Sequence, residues 1–300
     1  MTRRYPLRPD LPTPDGEPVE RPDHVLIHLS DSHLTSAGVR YNGLIDPEAT
    51  LAAVLAEVRR GQQNGHHFDA MVLSGDLTDS GDPAAYRRLR AAVEPLGLPL
   101  VYATGNHDVR TVFHRELLGT DSADPVVAAV MVNDRLRVIT LDSTIVGHGH
   151  GRLDRTSLAE LGTLLATAAP DGTVIVLHHA PIPPPSPLLA YFALERASRQ
   201  ALADVIRGTD VRLVLAGHHH LAQSGMLAGV PVAVAGSTAI RTDPLAAPGH
   251  ERTTRSASFN LVRLYRETVT TSVIPVDGAG EVFDLDDAGC AAVIAAHPAD

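Results

Sequence analysis

The sequence predicts an α/β fold, and its composition and pattern both support this assignment. Short apolar runs alternate with helical patterns along most of the chain, which is typical of strands and helices in α/β proteins. Most of these runs are continuously apolar, as expected for strands that are covered on both faces. The 300 residues, 44% of them hydrophobic and 20% charged, are enough to bury one large core.

The predicted strands are rich in Val, Ile and Leu and end at glycine or polar residues. In chain order they comprise residues 24–30, 70–74, 99–104, 136–142, 173–178, 211–216 and 231–236. Two later runs, 260–266 and 268–275, alternate between apolar and polar residues and predict an antiparallel pair.

The predicted helices lie between these strands. Residues 47–61 carry an apolar stripe at helical spacing and end at a glycine. Residues 82–97 begin with Asp82 as N-cap and proline at the first helical position. The same pattern predicts helices over 154–168 and 196–207.

Three segments describe the organisation of the chain. Residues 1–23 are rich in proline and charge and predict an extended arm, residues 24–276 form the main domain, and residues 277–300 form a tail with a short helix begun by Asp286 or Asp287.

The segment 181–194 combines a proline-rich loop with the apolar run 188–194. The simpler expectation is a helix that packs on the body of the domain. The alternative is a wall of a substrate mouth or a subunit contact.

The charge and the hydropathy pattern exclude several classes of protein. The net charge of −10 and the lack of a basic stripe argue against a nucleic-acid polymer as partner. The single cysteine, Cys290, permits no internal disulfide, and no apolar run approaches the roughly 18 residues of a membrane span. The N-terminus lacks the apolar core of a secretory signal, so the expected location is the cytoplasm.

Metal-ligating residue types follow the strands, at the point where the strands end. They are Asp31, His33, Asp76, Asp79, Asn106, His107, Asp108, His178, His179, His218 and His220. In α/β sheets ligands bind beyond the carboxyl ends of the strands, so these side chains are expected to meet at one rim. Asp, Asn and His suit Zn, Mn or Fe.

Two local arguments accompany this prediction. Asp31 and His33, like His218 and His220, are two residues apart, and in an extended segment such side chains project to the same side. The glycines at 75, 105 and 217 are expected where a strand turns sharply to aim a side chain.

The other histidines are expected to be structural. We expect His28 to be buried and His219 to lie behind the metal ligands. His66, His67, His114 and His250 are predicted to lie at the surface or in loops.

Five motifs in this order resemble those of the calcineurin-like metallophosphoesterase superfamily. They are D-x-H (31–33), G-D-x-x-D (75–79), G-N-H-D (105–108), H-H (178–179) and G-H-x-H (217–220). The segments "HLSDSHL", "PDGTVIVLHHAPIP" and "VIRGTDVRLVLAGHHH" resemble more narrowly the class III cyclic-nucleotide phosphodiesterases of the mycobacterial type. The resemblance covers residues 24 to 276 and implies a four-layer α/β/β/α sandwich.

The resemblance also implies a site with two metal ions, which could be Fe, Mn or Zn or a mixed Fe/Mn pair. One ion would be held by Asp31, His33, Asp76 and His220, and the other by Asp76, Asn106, His178 and His218. A hydroxide bridging the metals would attack phosphorus.

The resemblance further implies that His107 stabilises the phosphorane charge or protonates the leaving alkoxide. Asp108 or Asp79 would orient His107, or would instead serve as caps or turn residues. Asn106 and His107 would also contact the substrate, as would His148 or His150 of the "GHGHG" loop; the alternative for that loop is simple flexibility.

The expected function is therefore hydrolysis of a small phosphodiester such as 3′,5′-cAMP or a 2′,3′-cyclic nucleotide, by an enzyme whose relatives suggest a homodimer. Two alternatives stay open. One is a promiscuous phosphodiesterase or phosphomonoesterase for another small substrate, such as a glycerophosphodiester. The other is a non-catalytic scaffold on the same fold.

Overall fold

The computed structural model describes residue 13 and residues 18–276 and 282–296. Most of the predicted N-terminal arm, residues 1–12 and 14–17, lies outside the described residues. So do residues 277–281 and 297–300 of the predicted tail. The three-segment division of the chain therefore stays a prediction.

The strands of the described chain are mostly four to seven residues long and largely apolar. They are β1 (His24–Leu29), β2 (Ala70–Leu73), β3 (Leu100–Tyr102), β4 (Val127–Val132), β5 (Leu136–Leu141), β6 (Thr173–His179), β7 (Val211–Gly217), β8 (Gln223–Leu227), β9 (Val230–Val234), β10 (Arg241–Thr242), β11 (Thr253–Thr254), β12 (Ser258–Leu264) and β13 (Val269–Pro275).

The helices lie mainly between consecutive strands. They are α1 (Pro47–Gln63), α2 (Pro83–Val93), α3 (Arg110–Phe113), α4 (Arg155–Leu165), α5 (Pro187–Tyr191), α6 (Arg196–Ile206) and α7 (Asp287–Ala296). A single 3₁₀ turn, Glu94–Leu96, extends α2, and a π-helical turn, His114–Leu118, extends α3.

Within the described residues the strands form two large sheets. One has the order β13-β12-β1-β2-β3 and the other the order β4-β5-β6-β7-β9-β8. β1, β2 and β3 are mutually parallel, as are β5, β6 and β7. β12 and β13 form the predicted antiparallel pair.

The sheets pack face to face and helices cover their outer faces, which gives the predicted four-layer α/β/β/α sandwich. The alternation along β1 shows how the layers arise: Leu26 joins the cluster between the sheets, whereas Val25 and Ile27 join the cluster under α1 and α2. The outer face of the second sheet packs against α4 and α6 through residues such as Leu161 and Leu202.

The sequence pattern missed the strands at the margins of the second sheet. β4 and β8 are edge strands with partly exposed side chains. β8 reads QSGML and mixes polar with apolar residues, whereas β4 reads VAAVMV and is an apolar run that the sequence analysis did not assign to a strand. Among the described residues no helix is both long and apolar enough to cross a membrane.

One expectation about an individual residue was wrong, and one about a segment was met only in part. His114 is only 8% exposed, because its ring lies between the Thr120 hydroxyl and the Asp124 carbonyl at 2.9 and 3.0 Å. The run 188–194 was expected to pack on the body and does so only in part: its first residues lie in a short helix, α5, whose side chains all keep some exposure, whereas Leu194 is buried in the core of the second sheet.

Candidate metal centre

The predicted site residues come from both sheets and meet at one rim. Asp31, Asp76 and Asn106 follow β1, β2 and β3 of the first sheet. His178 lies at the end of β6, and His218 and His220 follow β7 of the second sheet. Because the parallel strands of each sheet end at the same edge, their following residues converge.

One cluster consists of Asp31, His33, Asp76 and His220, whose ligand atoms all lie within 4.8 Å of one another. Nε2 of His33 is 3.0 Å from Nε2 of His220. Nε2 of His220 is 3.2 Å from Oδ1 of Asp31, and Nε2 of His33 is 3.7 Å from Oδ2 of Asp76.

A second cluster consists of Asp76, His178 and His218, and Asn106 adjoins it. Nε2 of His178 lies 3.3 Å from Oδ2 of Asp76, 3.2 Å from Oδ1 of Asn106 and 3.2 Å from Nδ1 of His218. Asp76 therefore belongs to both clusters, as the resemblance implies.

The reason that closely spaced residues face one site differs from the prediction. Asp31, His33, Asp76, His218 and His220 are not extended, since their φ angles lie between 44° and 71°. This left-handed conformation costs a non-glycine residue about 1 kcal/mol or more. Strained turns, not strand alternation, aim these side chains.

Close packing, more than a sharp turn, explains the glycines of the motifs. A Cβ at Gly105 would lie 2.1 Å from the backbone nitrogen of Asp76, and one at Gly217 would lie 1.8 Å from Oγ of Ser30. Gly75 does have the expected positive φ, 100°, and also lies against His178. The missing Cβ atoms at Gly75 and Gly217 let loops of the two sheets approach one another, and the missing Cβ at Gly105 lets the loops after β2 and β3 do so.

Backbone carbonyls fix the tautomers of two histidines. Nδ1–H of His178 donates to the carbonyl of Ser74 at 2.9 Å, which leaves Nε2 directed at Asp76. Nε2–H of His218 donates to the carbonyl of Phe192 at 2.9 Å, which leaves Nδ1 directed at His178. Each ring thus presents a nitrogen lone pair to the cluster, as metal-binding histidines do.

The electrostatics of the site favour a bound cation. Burial alone would raise the pKa of Asp31, but His220 and His178 outweigh it and lower that pKa to about 2. Burial would lower the pKa of His178, yet the Asp76 charge raises it to about 9. Burial also lowers the pKa values of His33 and His218. The carboxylates therefore attract positive charge, on His178 in the protein alone or on a bound cation, while burial keeps the His33 and His218 imidazoles neutral.

His107 lies at the edge of the clusters with its side chain 40% exposed. Its Nδ1–H donates to the carbonyl of Asp79 at 3.0 Å, and its ring lies 4.7 Å from the ring of His33. The Asp79 carboxylate is 3.4 Å from Nδ1 of His107 and 3.5 Å from Nδ1 of His33. Of the two aspartates considered for orienting His107, Asp79 is in contact with it.

The Asp108 carboxylate holds loops together, whereas its expected catalytic role stays a prediction. Its Oδ1 accepts from the backbone of Thr78 at 3.1 Å and from the Tyr86 hydroxyl at 2.8 Å. Its Oδ2 accepts from the backbone of Gly105 at 2.9 Å and of Leu77 at 3.2 Å. The carboxylate is thus committed to the turns after β2 and β3, the turn function left open by the sequence.

Substituting these two aspartates should separate positioning from loop stability. Asp108→Asn places an amide group against backbone donors and should lower Tm by about 5–10 °C, the effect of losing about 2–3 kcal/mol. Asp79→Asn should leave Tm nearly unchanged but lower the rate of the hydrolysis expected from the sequence about 10-fold, the effect of removing a group that orients a histidine. Differential scanning calorimetry and rate assays would check both; a larger Tm loss for Asp79→Asn would contradict the assignment.

The "GHGHG" loop lies near the clusters through its backbone. The Gly149 carbonyl accepts from Nε2–H of His179 at 3.1 Å, and the ring of Phe192 packs over Gly149. The rings of His148 and His150 contact each other at 5.2 Å, and His150 lies 3.6 Å from Glu195. The described contacts do not join either ring to the metal clusters, so a substrate role for them stays a prediction.

The remaining histidines behave largely as expected. His28 and His219 are fully buried. Nδ1 of His219 is 2.6 Å from the Gln223 amide oxygen, behind the ligand positions.

Sequence reasoning missed Tyr41. Its ring stacks on His33 with centroids 4.6 Å apart and 17° between the planes. Tyr41 also packs with Ile45, Ala239 and Ile240 in a small cluster beside the site. A lone tyrosine in a loop carries no pattern that could have predicted this contact.

The donor atoms fit a pair of adjacent metal ions. Atoms bound to one cation at about 2.0–2.2 Å lie roughly 3.0–3.6 Å apart, and the distances within both clusters are close to that range. Asp, His and Asn donors are typical of sites for hydrolytic metals. The fold and the site together define a metal-dependent phosphoesterase.

Comparison with known proteins identifies the family. The sequence profile of calcineurin-like phosphoesterases matches residues 24–222, and the chain belongs to this family. A probable cyclic nucleotide phosphodiesterase of Rhodococcus erythropolis is 42% identical over 89% of this chain and 89% of its own. A cAMP/cGMP dual specificity phosphodiesterase of Mycobacterium tuberculosis is 42% identical over 87% of this chain and 82% of its own.

The fold has relatives among solved structures. The purple acid phosphatase of yellow lupin seeds aligns with a TM-score of 0.61 at 12% identity, over 87% of this chain and 52% of that protein. At this identity the likeness concerns the fold alone.

Proposed function

We propose that this protein is a phosphodiesterase that hydrolyses cyclic nucleotides, 3′,5′-cAMP or 2′,3′-cyclic nucleotides, with the help of two metal ions. The observation that carries the proposal is the pair of ligand clusters that share Asp76. The names of the relatives from Rhodococcus and Mycobacterium support the substrate class.

The residues that would hold the ions are those of the two clusters. Asp31, His33, Asp76 and His220 would bind one ion, and Asp76, Asn106, His178 and His218 the other; Fe, Mn and Zn all suit these donors. When bound, such ions would polarise the phosphate oxygens and lower the pKa of a shared water.

The ligand charges favour a phosphate at this site despite the acidic protein. Asp31 and Asp76 contribute the negative charges, whereas Asn106 and the neutral histidines contribute donors without charge. Two divalent ions would therefore leave the site with net positive charge, which attracts a phosphodiester.

His107 is proposed to donate a proton to the departing alkoxide or a hydrogen bond to the phosphoryl oxygens. Burial would lower the pKa of His107, but Asp76 and Asp79 raise it above its ordinary value, so the protonated form is favoured. Its Nδ1–H is occupied by the Asp79 carbonyl, which leaves Nε2–H for the substrate.

Substituting His107 tests this role. Metal-loaded protein should cleave bis(p-nitrophenyl) phosphate, and His107→Ala should lower kcat by about 10²-fold or more, as for loss of a general acid. His66→Ala, at an exposed and distant position, should keep full activity. An inactive metal-loaded wild type would contradict the enzyme proposal and favour the scaffold alternative.

A substrate panel decides between the cyclic nucleotides and the other small phosphoesters. Rates on cAMP, 2′,3′-cyclic AMP, a glycerophosphodiester and p-nitrophenyl phosphate should favour the cyclic nucleotides. The homodimer, the cytoplasmic location and the substrate contacts of Asn106, His148 and His150 remain predictions of this proposal.

A further inference from the structure

The helix α5 is unusual because it exposes its apolar residues beside the metal centre. Leu188 is 50% exposed and Tyr191 is 77% exposed. Ser186 is the N-cap of the helix, since its hydroxyl accepts from the backbone of Leu189 at 3.2 Å. Its apolar face therefore has a defined position without being used for packing on the domain.

A cleft of about 510 Å³ separates α5 from the loop 243–251. A residue next to each wall of the cleft is hydrogen-bonded to a ligand histidine. On one side, the Phe192 carbonyl accepts from His218 at 2.9 Å. On the other, the backbone N–H of Thr242 donates to the His220 carbonyl at 3.0 Å. Tyr191 and Asp243, which line the cleft, are therefore each the sequence neighbour of a residue that contacts a ligand histidine.

The lining of the cleft suits a flat, uncharged group. Leu188, Tyr191, Pro187 and Pro244 provide apolar surface, with His250 as a polar group. Of the acidic lining residues, Asp243 is paired with Arg252, whose Nε donates to it at 2.6 Å. The residues described as lining the cleft include acidic side chains but not arginine, so the cleft does not favour a second phosphate.

The Tyr191 ring contacts a neighbouring aromatic ring. It meets the Phe192 ring edge to face, with centroids 5.0 Å apart and 89° between the planes. Since Phe192 also packs over Gly149 and bonds to His218 through its carbonyl, Tyr191 is anchored to the site while its own ring stays open to solvent. Aromatic rings exposed in this way are platforms on which nucleobases stack.

We propose that this cleft binds the nucleobase of the substrate and that Tyr191 is its stacking platform. The inference rests on the proposed function, because it extends the same site from the phosphate to the base. It gives the segment 187–192 the role of a substrate wall, and it makes Tyr191 a residue that determines specificity.

The experiment compares substrates with and without a base. Tyr191→Ala should raise KM for cAMP about 10-fold, since loss of base stacking on an aromatic ring has roughly this effect or more. Its kcat on cAMP and both constants on methyl p-nitrophenyl phosphate should stay at the wild-type values. Tyr191→Phe, which keeps the ring, should behave as wild type, and Met226→Ala, at an exposed site in β8, serves as a remote control.

Equilibrium binding separates failure of this inference from failure of the proposed function. Whatever the turnover of the wild type, Tyr191→Ala should weaken binding of AMP about 10-fold and leave binding of ribose 5-phosphate unchanged. Equal losses for both ligands, or no loss for AMP, would overturn the base-binding role. If the wild type has no diesterase activity but Tyr191→Ala still weakens AMP binding, the proposed phosphodiesterase function is contradicted and the base-binding role is not.

Discussion

Replacing Asp76 by Asn is expected to lower kcat/KM on bis(p-nitrophenyl) phosphate by at least about 10³-fold. Asp76 is the carboxylate that both clusters share, so its charge would serve both ions. Metal ions contribute several kcal/mol of transition-state stabilisation, and each 1.36 kcal/mol is about tenfold in rate. Metal analysis should show a reduced metal content in parallel with the lost activity.

The substitution is chosen so that the fold survives it. Asp76 has a φ of 48°, which asparagine tolerates well. The side-chain oxygen can still accept from the backbone of His107, as Oδ1 does at 2.9 Å. Asp46→Asn is the matched control, because Asp46 is an exposed N-cap of α1 and Asn caps a helix equally well. Wild-type rates in Asp76→Asn would contradict the shared-ligand assignment.

Gly105→Ala should damage both stability and activity. The added Cβ would lie 2.1 Å from the backbone nitrogen and 2.2 Å from Oδ1 of Asp76, so backbone rather than a flexible side chain must shift. Overpacking of this kind costs about 1–3 kcal/mol or more, which lowers Tm by roughly 3–10 °C in a domain of this size. Because Asp76 itself is displaced, kcat should fall about 10²-fold, as for misplaced catalytic groups.

Gly162→Ala is the matched control for that substitution. Gly162 lies inside α4, and a Cβ there would meet nothing within 4 Å. Alanine should therefore stabilise the helix by about 0.5–1 kcal/mol and leave the rate unchanged. Thermal melts and rate assays on both variants test this expectation. Equal Tm values for Gly105→Ala and wild type would contradict the claim that the loop after β3 cannot accommodate a Cβ.

Much of the architecture could be predicted from the sequence because burial leaves a clear pattern. Central strands such as β6 and β7 are covered on both faces and read as continuous apolar runs. The Asp82 N-cap is confirmed, since its Oδ1 accepts from the backbone of Ala84 at 2.9 Å. The edge strand β8 carries a weaker signal, because solvent on one side relaxes the choice of residue in its sequence QSGML.

For the site, the sequence indicates which residues meet but not how they are held. The residues proposed as ligands do cluster, yet through left-handed turns that the i, i+2 spacing does not indicate. Asp79 and Asp108 are the last residues of two similar motifs, so the sequence does not distinguish them. Their contacts do, because Asp79 contacts His33 at the site and Asp108 accepts from Tyr86 in the loops. Tyr41 and the Phe192 carbonyl escape prediction because a stacked ring and a backbone acceptor depend on tertiary approach, not on local pattern.

The origin of the ligands in both halves of the sandwich has a consequence for assembly. Asp31 and Asp76 belong to the first sheet, and His178 and His220 to the second. A cation bound by these residues would link the two sheets. The free energy of binding it would add to the free energy of unfolding of the domain. Removing the ions with a chelator should therefore weaken the association of the two sheets as well as stop the reaction. Hydrogen exchange of the backbone amides in the loops that carry the ligands would measure this weakening.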